Sequence, residues 1–378
     1  MIILESETNM QEKQFEHLER EEESIPTPEV SFDVDEGIMS YLVLREILHP
    51  ERVRYDDSEA VDIINSYKAN FSQDEDLIHS LRKIERETDI GVFRMFVLQA
   101  VDSKRRTSIK RKIKKEKGHL KNPLSYLEEF NSLYEEYSDK SSDLIKKIRP
   151  LFEKDAKERK QSQQEQYQSE IGKIVDFYVP KKDTSKIEKV VYVATAGMMS
   201  GEGVSINLDK TGLIAGCVNF DGDRHEFVHF IIDPIVEGMD FTDQELNLID
   251  EMTPELMHQR YGIPLAHLGE TLNNAYVNYF SKGETQYGSY KKQVLSLGED
   301  GFQREMKALD LKKVLAQFKI NTYQEWLENL DEVYQNAFKS ELVDRSIKLY
   351  EDYSKYESLN PDSHFEDFFL KNYKDLLN

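Results

Sequence analysis

Apolar side chains recur along this chain with two periods, and the period separates its helices from its strands. Ile38, Tyr41, Leu42, Leu44, Ile47 and Leu48 follow helical spacing up to Pro50, which stops the helix. Residues 60–71, 77–86 and 92–101 predict three more helices. Residues 123–137, with Leu124, Leu127, Phe130 and Leu133 on one stripe, predict another. Residues 143–177 predict a long helical stretch interrupted near Pro150. Its middle, 154–170, is so polar that an exposed or bridging helix is expected.

The period then changes. A short strand is expected at 30–34, and the run Ile187 to Thr195 is rich in β-formers. Gly203–Leu208 and Leu213–Asn219 predict two more strands, with a flexible, partly apolar loop, Gly197–Gly201, between the first two. Helical spacing returns at 222–236, where Phe227, Val228, Ile231, Ile232 and Ile235 form a face broad enough to be largely buried. Asp221 or Asp223 is the expected N-cap, and Pro234 limits or kinks the far end. A further helix is expected to open at Gly269-Glu270, with Leu272, Ala275, Tyr276 and Tyr279 on one stripe. The pattern gives an α+β fold, predominantly α-helical, with a small mixed or antiparallel sheet. Four segments follow: an acidic, disordered leader at 1–29, a mainly helical region at 30–180, a core at 181–299 holding the strands and the two later helices, and a helical region at 300–378 with Trp326 and a Tyr/Phe-rich tail.

Composition narrows the function classes. At 378 residues the chain is long enough for one large or two to three small domains. No run of 18 apolar residues exists, so no transmembrane helix is expected. A formal net charge of −22 argues against nucleic acid as a partner. The segment Lys104–Lys121 opposes this background with ten Lys/Arg residues; a solvated surface paired with the acidic remainder is the expectation, an anionic partner the alternative. The single cysteine, Cys217, excludes a disulfide framework and a cysteine-built metal site, and is expected to be inert core. The N-terminus lacks the basic and apolar regions of a signal peptide, so a cytoplasmic protein is expected, although an acidic leader of this kind also follows export signals.

Chemistry concentrates at His225-Glu226-Phe227-Val228-His229, an HExxH pentapeptide. On a helix, positions i and i+4 share a face, so both imidazoles can ligate one divalent ion while Glu226 reaches a metal-bound water. With this composition the pentapeptide has a chance frequency of roughly 2% per chain, so the helix around it is what gives it weight. Zinc lowers the pKa of bound water to about 7, which points to metal-assisted hydrolysis, most often of peptide bonds. A catalytic zinc takes three protein ligands and keeps one open position. Glu237, Glu245, Glu255, His258, His267 and Glu270 are the downstream candidates, and Glu270 is preferred because Asn274 shares its face at i+4. Asn274 is then the expected hydrogen-bond partner that fixes a ligand histidine's tautomer. Tyr261, Tyr276, Tyr287, Tyr290, His258 and His267 remain open as donors to the developing oxyanion.

An HExxH helix followed by a Glu-x-x-x-Asn helix resembles the gluzincins, the thermolysin-like branch of the zincin metallopeptidases. The run Val30–Asp35 before an apolar helix, and HEFVH followed by Asp233-Pro234, are similar to an uncharacterised bacterial metallopeptidase family whose pattern is close to HEFxH…NP. Asp233 stands where that pattern has Asn. The resemblance spans residues of about 30–285 and implies a zincin-like core, a Zn2+ cofactor and a peptide or protein substrate. It also implies that an edge strand near the HExxH helix pairs with extended substrate backbone. A catalytically inactive, zincin-like peptide- or protein-binding module is the alternative, and a helical interaction protein using the 104–121 segment a third reading.

Overall fold

A computed structural model describes residues 27–49, 58–71, 74–88, 90–115, 123–178, 187–198, 203–208, 210–216, 220–253, 264–280, 318–333, 341–361 and 363–377, with isolated positions between 295 and 316. Among these, helices dominate and four strands form one small mixed sheet.

The sheet separates two large hydrophobic cores, and a third, smaller one gathers around Trp326. Strand β1 (Glu29–Asp33) pairs parallel with β2 (Lys189–Val193), β2 pairs parallel with β4 (Thr211–Ala215), and β3 (Val204–Leu208) pairs antiparallel with β4. The spatial order is β1-β2-β4-β3. Alternation puts successive side chains on opposite faces. Val193, Leu213, Ala215 and the β3 residues Val204, Ile206 and Leu208 join one core, whereas Val30, Phe32, Val190, Tyr192 and Ile214 join the other.

The first core is the helical bundle of the N-terminal half. Helix α1 (Glu36–Leu48) is its axis: Asp35 caps it by accepting from Ile38 N–H, and all but one of its residues are buried. Around it pack α2 (Glu59–Phe71), α3 (Glu75–Thr88), α4 (Ile90–Val101), α5 (Arg106–Lys115) and the first half of α6 (Leu127–Tyr178). The expected break near Pro150 is absent, and α6 runs for 52 residues. Pro150 is exposed and removes one hydrogen bond, but Ile148 and Phe152 on either side of it are fully buried, and that packing carries the helix through. The polar middle of α6 bridges. Its Asp155 accepts from the Thr195 and Ala196 N–H groups after β2. Gln168 accepts from Val30 N–H, and Gln164 donates to Val30 C=O. These glutamines cover the outer edge of β1; β3 is the strand at the sheet's other edge.

The second core lies on the other face, under α7 (Phe220–Glu237), α8 (Asp243–Met252), α9 (Pro264–Phe280) and α11 (Glu341–Leu359), which follows the short α10 (Tyr323–Glu328). The last helices, α12 (Phe365–Asn372) and α13 (Lys374–Leu377), close it. Aromatic rings from α6, α9, α11 and α12 interlock here, among them Tyr178, Tyr276, Tyr350 and Phe365. The HExxH pentapeptide sits in α7, which crosses the sheet at Gly212 of β4. A Cβ at Gly212 would stand 2.4 Å from Phe230 Cε2 and 2.7 Å from Cζ. Gly212→Ala is therefore expected to cost about 1–3 kcal/mol by overpacking. Urea unfolding checks this: Phe230→Leu in the same chain should recover part of the loss, and additive costs for the two changes would refute the contact.

The leader up to residue 26, Cys217, and the basic segment beyond residue 115 lie outside the described residues. At the start of that basic segment, Arg105 pairs with Asp35 and Asp102. No described helix is long and apolar enough to cross a membrane.

Candidate metal centre

The site is built where α7 meets α9. Helix α7 begins at Phe220, so Asp223 lies within its first turn and is not its N-cap. Instead Asp223 is buried and accepts from Tyr167 Oη, with Arg159 Nη2 3.4 Å away. Arg224 donates to Glu170 at 2.7 Å. Both contacts run back to α6 and fix the start of the HExxH helix. Pro234 neither ends nor breaks α7, which continues to Glu237. Helix α9 begins at Pro264, earlier than the spacing predicts, so Glu270 sits in mid-helix facing α7 rather than at an N-terminus.

This crossing brings His225, His229 and Glu270 to one point. The Nε2 atoms of the two histidines are 3.2 Å apart. Glu270 Oε1 lies 3.2 Å from His225 Nε2, and Glu270 Oε2 lies 3.3 Å from His229 Nε2. Zinc bonds of about 2.0–2.1 Å in tetrahedral geometry separate their ligand atoms by about 3.3–3.4 Å. Three donors at that spacing, two imidazole and one carboxylate, fit a tetrahedral ion with one position left over. The donor set also suits zinc better than magnesium or calcium, which prefer oxygen ligands.

The donors are electrostatically coupled to one another and to Asp233. Burial alone would lower the pKa of His229, but the Asp233 and Glu270 carboxylates beside it raise it well above the usual imidazole value. Burial would raise Glu270, but the two imidazoles hold it well below the usual carboxylate range. Glu226 is different. It is only 8% exposed, yet it makes no hydrogen bond or ion pair among the described residues. Its carboxylate oxygens are not among the sealed, unsatisfied atoms, so they keep access to solvent. It stands next to His225 on the helix, where a water or substrate group would satisfy it.

The other expected residues fall elsewhere. Asn274 is half-buried, but the asparagine that reaches His229 is Asn273, whose Nδ2 lies 2.7 Å from Nδ1. Asp233, one turn beyond His229, places its two carboxylate oxygens 3.0 and 3.1 Å from the same nitrogen. Both were legible in principle: Asp233 repeats the i+4 step of the histidines, and Asn273 stands at i+3 from Glu270. His267 is 1% exposed, 4.0 Å from Asp250, and does not join the cluster. Tyr276 is buried between Tyr178 and Phe280, which removes it as a donor to substrate. Glu245 is spent in the capping box of α8 with Thr242. Glu237 closes α7 on an exposed turn. Glu255, His258, Tyr261, Tyr287 and Tyr290 lie outside the described residues.

The chain matches no protein-family model, no curated protein and no solved structure. The functional reading therefore rests on this geometry.

Proposed function

We propose that this chain is a zinc-dependent peptidase of zincin type, with His225, His229 and Glu270 as the metal ligands. One observation carries the reading: three donors lie at the edge length of a zinc tetrahedron, beside a carboxylate, Glu226, that has no partner among the described residues. Zinc bound there would act as a Lewis acid, polarising a peptide carbonyl and making water acidic enough to ionise near neutral pH.

The protein's own groups supply the rest. Glu226 takes a proton from the attacking water and delivers it to the leaving amide nitrogen. It has no partner among the described residues, which leaves its oxygens available for that transfer. The substrate backbone would lie along β3. That strand is an edge strand, it packs against α7, and its side chains on the α7 face, Ser205 and Asn207, are half-buried and polar. The competing reading, an inactive peptide-binding module, would have no use for a glutamate held beside the metal ligands as a base.

The test is metal content followed by turnover. Purified wild-type chain supplied with zinc is expected to retain one ion per chain and to cleave unfolded proteins. A chelator should stop the cleavage, and restored zinc should revive it. Zinc retention without cleavage across a broad panel of peptides would favour the binding module; no retained zinc would remove the metal centre altogether.

A further inference from the structure

We infer that Asp233 and Asn273 form a two-sided clamp on His229 Nδ1 that turns its Nε2 toward the metal, a positioning role that rests on the proposed zinc centre. An imidazole that ligates through Nε2 must carry its proton on Nδ1. Asp233 accepts that proton, with oxygens at 3.0 and 3.1 Å. The acceptor comes from the same helix one turn on, so the backbone of α7 itself sets the ring's rotation.

Asn273 completes the clamp from α9. Its amide nitrogen lies 2.7 Å from Nδ1, while its carbonyl oxygen is buried with no partner among the described residues. An amide N–H aimed at an Nδ1–H is repulsive, and an orphaned buried oxygen is costly. A half-turn of the amide about Cβ–Cγ exchanges the two atoms and removes the repulsion: Oδ1 then takes a share of the Nδ1–H. Asn273 is 0% exposed, so this contact is sealed from water, whereas Asp233 is 41% exposed at its side chain. Gly269 lets the two elements approach. A Cβ there would stand 3.2 Å from Asp233 Oδ1. Gly269 and Asn273 are four residues apart on α9, so one face of that helix carries both the gap for Asp233 and the second arm of the clamp.

The clamp makes His229 the fixed ligand. Among the described residues His225 has no such partner on Nδ1, and it meets His229 and Glu270. Losing Asp233 should therefore free the His229 ring without removing a ligand.

The experiment compares wild type, Asp233→Ala and Asp233→Asn in the full chain. Zinc affinity is measured by competition with a chromogenic chelator, and the visible spectrum is recorded with cobalt in place of zinc. Asp233→Ala is expected to bind zinc about 10–100-fold more weakly and to shift the cobalt bands, the usual scale for losing a partner of a ligand histidine. Asp233→Asn keeps an acceptor oxygen and should recover most of the affinity. Asp233 is partly exposed, so both variants should fold, and a thermal melt checks that. Wild type and Asp233→Ala binding zinc equally, with identical cobalt spectra, would overturn the clamp and leave the metal centre standing. Equal losses in Ala and Asn variants would also overturn it, because the acceptor would then not be the cause. Wild type that holds neither metal would overturn the centre and the clamp together.

Discussion

Glu226→Gln is expected to keep one zinc per chain and to lose peptide hydrolysis by a factor on the order of 10²–10⁴. Glutamine matches glutamate in size and leaves His225, His229 and Glu270 untouched, so the metal should stay. It cannot accept and release a proton, so the transfer from water to the leaving nitrogen fails. In most proteins a Glu→Gln change at a buried carboxylate also breaks hydrogen bonds and costs stability. Here that side effect should be small or reversed, because Glu226 has no partner among the described residues to lose. The check is a paired one: zinc content and melting temperature on one side, turnover of an unfolded protein on the other. Unchanged turnover in a zinc-loaded variant would remove Glu226 from the chemistry.

The second large effect concerns Glu270. Glu270→Ala removes one of three donors and should drop zinc content from one per chain to a small residue at equal free zinc. The loss is also readable as stability. An ion that binds only the folded chain stabilises it by RT ln(1 + [Zn]/Kd), about 4 kcal/mol at 1,000-fold excess over Kd. Wild type should therefore melt higher on adding zinc, and Glu270→Ala should not respond. His229→Ala is the companion variant and should behave alike, since both donors meet the same point. A Glu270→Ala chain that still gains the full zinc shift, beside a His229→Ala chain that gains none, would move the third ligand to Glu255 or His258.

Much of this molecule follows from local rules that act over a few residues. Helices α1 to α4 announce themselves in the apolar spacing, because one buried stripe per 3.6 residues needs only the chain's own geometry. The facing of His225 toward His229 needs only the i, i+4 step of a single helix. The strands β2, β3 and β4 show in their β-rich runs, to within a few residues at their ends.

What the sequence alone misjudges is decided by contacts between distant segments. Helix α6 passes through Pro150 because the first core buries Ile148 and Phe152 on both sides of the lost hydrogen bond. Asp223 looks like a cap and is instead taken by Tyr167, 56 residues earlier. The choice between Asn273 and Asn274 depends on how far α9 is rotated against α7, a contact at which Asp233 lies close to Gly269. The sequence by itself determined the two histidines, their glutamate and the helix that carries them, since a single helical turn holds all three. Tertiary structure decided which carboxylate meets them, which asparagine and aspartate hold His229, and which sheet edge α6 covers, since each depends on two elements meeting in space.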